Sequence, residues 1–163
     1  MLTPTLRTKT ATAKFTLMAA ISTVALSLAA FSLPAHAEGD TMMSQDASLY
    51  HGLGEKAGIR KFTHTFVGII VADERIKDKF ADADMDRLEG LLSDQFCELS
   101  GGPCKYAGRD MKTTHKNMGI MTAQFNALAE DLQIAMEQAG VSTFYSNQLV
   151  GKLAPMYHVI VTK

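Results

Sequence analysis

The segment MKTTHKNMGI, at positions 111–120, places a single histidine, His115, between a helix-like run and a glycine. Imidazole can bind a metal or transfer a proton near neutral pH. A lone histidine among apolar residues is nevertheless more often an ordinary core or surface residue than a ligand. Whether His115 does chemistry therefore depends on the elements that surround it.

Two cysteines, Cys97 and Cys104, form a second group that could do chemistry, in the segment CELSGGPC. The spacing is not Cys-x-x-Cys, and the chain has no Cys-x-x-Cys-His haem-attachment motif. In an oxidising compartment the pair can persist as a disulfide, which would join the end of one helix to the following loop and contribute about 2 kcal/mol. We predict a structural disulfide; a thiol redox switch or a metal pair is the alternative.

The first 37 residues differ in character from the rest of the chain. Arg7, Lys9 and Lys14 precede an apolar run at 15–31, and an Ala-x-Ala pattern ends at Ala37. This layout is typical of a secretory signal peptide, so we expect cleavage after Ala37 and export, to the periplasm. An uncleaved membrane anchor is the alternative, because the apolar run is near the lower length limit for spanning a bilayer.

The remaining residues have the composition of one soluble domain. Thirteen of the 16 Lys and Arg residues and all 17 Asp and Glu residues follow position 37, so this part carries a net charge of about −4. That charge argues against a nucleic-acid-binding surface. Residues 38–48 are polar and aperiodic, and we expect a flexible lead-in there, followed by the domain at 49–163.

Apolar residues recur every three or four positions in the first half of the domain, which predicts amphipathic helices. The first helix begins near Gly58 and ends before Asp73, and a short turn follows it. The second is predicted over 84–99, with Asp84 as its N-cap and a stop at the Gly-Gly-Pro of 101–103.

Two more helices are predicted in the second half. One covers 122–139 and stops at Gly140; the other covers 143–158, with a bend at Pro155. The stretch before them, at 105–119, is too short and polar for a long core helix. No segment alternates with the two-residue period of a strand, so we predict an all-α domain.

Several segments, taken together and in order, resemble the truncated haemoglobins, specifically their first group. They are LYHGLGEKAGI at 49–59, VADERIKDKFADADMDRL at 71–88, GGPCKYAGRDMKTTHKNMGI at 101–120, and TAQFNALAEDL followed by LAP at 153–155. The resemblance covers about 49–160. It implies a truncated globin-like two-over-two helical sandwich that encloses haem, iron protoporphyrin IX.

The resemblance makes His115 the proximal ligand of the haem iron, and one imidazole suffices because the porphyrin supplies four donors. It places Phe80 against the haem and the Tyr106 hydroxyl near a propionate. Lys105, Arg109 and Lys112 are further candidates to pair with the propionates. The other pocket residues that it implies are apolar: Phe66, Val67, Leu88, Leu92, Phe96, Met111, Ile120, Phe125, Leu128, Leu149 and Leu153.

The distal side departs from the family pattern. The family carries Phe-Tyr in its first long helix, and that tyrosine donates a hydrogen bond to the gas; this chain has Phe66 and Val67 there. We therefore predict a mostly apolar distal pocket, from which oxygen should leave faster. The nearest polar residues are Gln95 and His64, and helical phase places both off the inner stripe. We expect five-coordinate or water-bound iron.

The favoured function is reversible binding of O2, NO or CO. One alternative is NO dioxygenase or peroxidase-type turnover; efficient dioxygenation would need an electron-donating reductase, and the missing tyrosine counts against it. Another alternative is a haem-free helical interaction domain. We expect a monomer or weak dimer, no nucleic acid, and no membrane span after signal cleavage.

Overall fold

The computed structural model of the protein describes residues 48–163. The predicted signal peptide, its cleavage after Ala37 and nearly all of the predicted lead-in lie outside these residues. The described helices are α1 (48–52), α2 (Glu55–Ile70), α3 (Met85–Leu99), α4 (Met111–Thr114), α5 (Thr122–Gln138), α6 (Thr143–Leu153) and α7 (Tyr157–Ile160). Two 3-10 helices, Lys77–Phe80 and Ala154–Met156, complete the order.

Helix α2 is the centre of the core and packs against α3 and α5. Its buried apolar face carries Ile59, Phe62, Phe66 and Ile70, at the spacing of three and four that predicted this helix. The Phe62 ring lies 5.8 Å, between centroids, from the ring of Phe96 on α3. Burial of one such large side chain contributes about 1.5–3 kcal/mol, so this contact is a main tie between the two helices.

Helix α3 begins and ends where the sequence predicts. The Asp84 carboxylate accepts a hydrogen bond from the Arg87 backbone N–H at 3.0 Å, and the helix ends at Leu99. The Cys97–Cys104 disulfide then joins this end to the next loop, with the two Cα atoms 5.7 Å apart. The predicted disulfide is confirmed, and neither cysteine is a free thiol.

The predicted third helix is confirmed as α5, and Gly140 follows it with a left-handed φ of 87°. The fourth differs from the prediction of one bent helix. Helix α6 ends at Leu153, a 3-10 turn contains Pro155, and α7 is a separate helical turn. Proline lacks the backbone N–H and its ring clashes with the carbonyl four residues earlier, which explains the break.

The four long helices form two packed layers. Helix α2 contacts α3 and α5, α5 contacts α6, and α3 contacts α6. In the part of the chain that the structure describes, the extended pairing is limited to an isolated bridge between Ile120 and Val161. The all-α two-over-two sandwich is therefore confirmed. No helix within residues 48–163 has both the length and the apolar character needed to cross a bilayer.

A charged cluster ties the loop after α2 to α5. The Arg75 guanidinium lies 2.7 Å from the Asp73 carboxylate, 2.6 Å from Glu130 and 3.5 Å from Asp131. The Asp131 side chain is 3% exposed, and its Oδ2 has no hydrogen-bond partner among the described residues. Burial, and then repulsion by Asp73, raise the pKa of Asp131 to about 6.

Candidate functional site

His115 lies at the C-terminal end of α4, a helix of a single turn. The Asp110 carboxylate starts this turn by accepting a hydrogen bond from the Thr113 N–H at 2.9 Å. The turn cannot lengthen, because Asn117 and Gly119 follow with left-handed φ angles of 65° and 59°. A left-handed residue does not continue a right-handed helix. His115 is therefore held at a defined place between a short helix and a loop.

The His115 ring is oriented by the backbone of its own turn. Its Nδ1 lies 2.8 Å from the carbonyl oxygen of Met111. A carbonyl oxygen only accepts hydrogen bonds, so Nδ1 must carry the hydrogen and donate it. In the neutral ring the lone pair then belongs to Nε2, which is the nitrogen available to a metal.

His115 borders a partly open cavity of about 150 Å³. The side chains around it come from α2, α3, α5 and α6 as well as from α4 and the C-terminal turns. Apart from His115 and Gln95, all of them are apolar: Phe66, Leu92, Phe96, Met111, Phe125, Leu128, Ala129, Leu132, Val150, Leu153, Ala154, Met156 and Ile160. Since protein interiors are normally close-packed, an apolar cavity of this size can take an apolar guest.

A second cavity, of about 70 Å³, shares part of this wall. His115, Phe125, Leu128 and Ile160 border both cavities. The second is further lined by Ile76, Lys79, Phe80, Met118, Ile120 and Gln124. His115 thus borders two mostly apolar cavities.

His115 also borders a basic groove of about 670 Å³. Lys112, Lys116, His158 and Lys163 line it, together with the backbone around Gly119. Anionic groups are attracted to such a cluster of ammonium groups. The arrangement can therefore accept a ligand with an apolar body and a carboxylate edge, the body in the cavities and the edge in the groove.

Most predicted pocket residues lie together around these cavities. The larger cavity is lined by Phe66, Leu92, Phe96, Met111, His115, Phe125, Leu128 and Leu153. Phe80 and Ile120 line the smaller one. Val67, Leu88, Tyr106 and Leu149 line neither, and their place in the pocket stays a prediction from the resemblance.

These four residues have other surroundings in the structure. Leu149 and Val67 are buried in the helical core, and Leu88 packs against it while half-buried. The Tyr106 hydroxyl donates a hydrogen bond to the carbonyl oxygen of Arg109 at 2.8 Å. Burial raises the pKa of Tyr106, so the hydroxyl stays a donor at neutral pH.

Gln95 does not lie where helical phase predicted. It is only 8% exposed and lines the larger cavity, so the expectation that it stands off the inner stripe is wrong. Its Nε2 lies 3.7 Å from the Met111 sulfur and 3.9 Å from the Met156 sulfur. His64 behaves as predicted: its side chain is 80% exposed and its Nδ1 lies 3.0 Å from Glu89.

The C-terminal turns also contribute to the cavity wall. Met156 faces inward, as the pattern of the fourth predicted helix indicates, and lines the cavity. Ile160, which lies beyond the predicted end of that helix, lines it as well and was not predicted. Of the lysines and arginines proposed to pair with propionates, Lys112 lines the basic groove, whereas Lys105 is paired with Glu98 at 3.1 Å.

The sequence of this chain is similar to that of known globins. The sequence profile described as "Bacterial-like globin" matches residues 48–162. A group 1 truncated haemoglobin of Mycolicibacterium paratuberculosis is 30% identical over 73% of this chain and 88% of its own length. One from Tetrahymena pyriformis is also 30% identical, over 65% of this chain and 88% of its own length.

Solved structures give the same picture. The Fe(III) form of truncated haemoglobin from Tetrahymena pyriformis superposes with a TM-score of 0.68 at 28% identity, covering 71% of this chain and 98% of that one. The 2/2 haemoglobin of a Synechococcus species, in its cyanomet state with covalently attached haem, superposes with a TM-score of 0.65 at 26% identity and the same coverage.

Proposed function

Because the chain belongs to the bacterial-like globin family, and within it to the group 1 truncated haemoglobins, we propose that it binds O2, NO or CO at a haem iron held by His115. Haem is the cofactor of this family, and its iron supplies the coordination position at which such a gas binds. The observation that carries the proposal is the orientation of the His115 ring. Its Nδ1 donates a hydrogen bond to the Met111 carbonyl oxygen, so Nε2 is the ring nitrogen that can bind the iron.

The walls of the cavities fit an apolar macrocycle. Leu92, Phe125, Leu128 and Leu153 are apolar side chains that are only half-buried although they face the interior. A guest that covers them removes this surface from water, at about 25 cal/mol per Å². These residues would thus bind haem by the same effect that packs the rest of the core.

The basic groove fits the carboxylates of the macrocycle. Lys112 and Lys116 flank His115 in sequence, and both line the groove with Lys163. We expect these lysines to bind the propionates and so fix which edge of the haem faces solvent. The pairs would be exposed and would each contribute at most about 1 kcal/mol, so they orient the haem rather than hold it.

An apolar distal wall favours reversible gas binding over turnover. Val67 stands where the family carries its tyrosine, and Phe66, Leu92 and Phe96 provide the neighbouring cavity wall. Dioxygenation needs an oxygen ligand that is held strongly, and this requires a hydrogen-bond donor beside the ligand. None of these four side chains can donate a hydrogen bond. We therefore expect oxygen to leave faster than it would with a tyrosine at position 67.

Export forms part of the proposal. The sequence of residues 1–37 has the layout of a cleavable signal, and the Cys97–Cys104 disulfide suits an oxidising compartment such as the periplasm. Both features would be unusual in a protein that stays in a reducing cytoplasm.

Optical spectroscopy tests the role of His115. Wild-type protein supplied with haem should show a Soret band and ferrous spectra typical of five-coordinate or water-bound iron. His115→Gly should bind haem at least about 10-fold more weakly, a loss that even outer-shell changes at metal sites produce. Added imidazole should restore the wild-type spectrum, because it replaces the missing ring.

The matched control is His51→Gly, which removes an exposed histidine that lines neither the two cavities nor the groove. It should keep the wild-type spectrum. The proposal fails if wild-type protein gives no Soret band, or if His115→Gly and wild type have the same haem affinity and spectra.

A further inference from the structure

Lys79 is a half-buried cation without a carboxylate partner. It lies on the 3-10 helix Lys77–Phe80, and its Nζ donates a hydrogen bond to the carbonyl oxygen of Met118 at 2.9 Å. No ion pair within residues 48–163 includes Lys79. A carbonyl group is neutral, so the ammonium group is hydrogen-bonded while its charge is not neutralised.

The surroundings of Lys79 are mostly apolar. It borders the smaller cavity together with His115, and apart from these two and Gln124 the side chains of the wall are apolar. A leucine or methionine at position 79 would suit this wall better, because burial of a charged group costs desolvation free energy. A charge in such a wall also acts on its neighbours more strongly than a charge in water, since the local dielectric constant is lower.

The ammonium group is held close to the loop that follows the proposed iron ligand. The Lys79 backbone N–H donates to the carbonyl oxygen of Ile76 at 2.9 Å, and the Ile76 side chain is buried. At the other end of the side chain, the Met118 N–H donates to the carbonyl oxygen of His115 at 3.2 Å. Lys79 therefore reaches the turn of His115 from a separate, anchored segment.

The lysines of the basic groove are in a different environment. Lys112 and Lys116 are exposed, so water and salt screen their charges. We expect them to pair with the propionates as well, which would neutralise them further. Lys79 is thus the lysine whose charge should act most strongly on the interior of the site.

We propose that the Lys79 ammonium group favours ferrous over ferric iron at the site held by His115. This inference rests on the proposed function, since it requires haem in the cavities. Ferric iron carries one more positive charge than ferrous iron, so a nearby cation destabilises the ferric state more. O2 and CO bind ferrous haem iron, and Lys79 thus supports gas binding in the oxidising compartment proposed for this protein.

Spectroelectrochemical titration of haem-loaded wild type and Lys79→Met tests this role, with the electrode supplying one electron per iron. At a fixed potential the ratio of ferrous to ferric protein should fall about 10-fold in the variant. Two unit charges about 10 Å apart, at an effective dielectric constant of about 20, produce an effect of this size. A 10-fold change corresponds to a midpoint potential that is lower by about 59 mV for a one-electron couple.

Two further variants of Lys79 separate its charge from its hydrogen bond. Lys79→Gln keeps an N–H donor without the charge, so its midpoint potential should fall as it does in Lys79→Met. Lys79→Arg keeps the cation, so its midpoint potential should stay close to that of wild type.

The matched control is Lys77→Met, which removes the same net charge from the same 3-10 helix. The Nζ of Lys77 lies 2.7 Å from the Glu74 carboxylate, and Lys77 borders neither the two cavities nor the groove. Its midpoint potential should match that of wild type. Far-ultraviolet circular dichroism and the Soret band verify that each protein is folded and loaded.

The outcomes separate the two proposals. If haem-loaded Lys79→Met and Lys79→Gln have the midpoint potential of wild type, the role of Lys79 is refuted while haem ligation by His115 stands. An equal fall in Lys79→Arg or in Lys77→Met would refute it too, because the charge at position 79 would not be the cause. A wild-type protein that takes up no haem would overturn both proposals.

Discussion

Replacing the buried Asp131 by asparagine should change how the stability of the protein depends on pH. Asp131 is almost fully buried, near Arg75 and Asp73, and has a carboxylate oxygen without a partner among the described residues. Asparagine has nearly the same shape and can still accept a hydrogen bond from Arg75, but it cannot ionise. The variant therefore isolates the cost of ionising this one carboxyl group.

The sign of the effect follows from the direction of the pKa shift. Burial and then Asp73 raise the pKa of Asp131 from 3.8 to about 6 in the folded protein. Between these values the folded state binds more protons than the unfolded state, so wild-type stability falls as the pH rises. The shift of about two units corresponds to at most about 3 kcal/mol, since one unit is 1.36 kcal/mol.

Urea unfolding at fixed protein and haem concentration, followed by circular dichroism between pH 4 and pH 7, measures this effect. The free energy of unfolding of Asp131→Asn, minus that of wild type, should increase by up to about 3 kcal/mol across the range. Asp73 does not interfere, because hydrogen bonds from Arg75 lower its pKa below this range. Asp82→Asn, at an exposed carboxylate, should show no such increase. A difference for Asp131→Asn that stays constant with pH would refute the reasoning.

Two shorter predictions concern the disulfide and the N-terminus. Reduction of Cys97–Cys104, or the double change of both cysteines to serine, should lower the free energy of unfolding by about 2 kcal/mol in urea titrations, because the bond closes a short loop. An equal stability with and without reductant would contradict this. Mass spectrometry of protein recovered from the periplasm should find a chain that begins at Glu38, and a chain that begins at Met1 would refute signal cleavage.

Local sequence patterns were sufficient to predict the long helices. The spacing of Ile59, Phe62, Phe66 and Ile70 defines the face of α2 that the structure buries. The N-cap at Asp84 is likewise a local feature, since its carboxylate binds a backbone N–H three residues away. Such features depend on neighbours within one or two turns, so the sequence alone contains them.

The composition of the cavity wall could be predicted only in part, because it depends on how separate helices meet. Helical phase alone misplaces Gln95, because it does not include the α4 and C-terminal turns that approach the same side of α3. Ile160 was not predicted because it lies on the separate turn α7, beyond the predicted end of the fourth helix. Both errors concern long-range packing, which helical phase does not describe.

The surroundings of Gln95 lead to one physical conclusion about the site. The break at Pro155 allows Met156 to approach Gln95, and the α4 turn brings Met111 to it, so that two sulfurs surround the amide. Sulfur fills space flexibly and competes weakly for hydrogen bonds. A carboxamide in these surroundings is held in place by packing, while its donors stay available to a stronger acceptor. A serine or a carboxylate in place of either methionine would bind the amide and remove that availability.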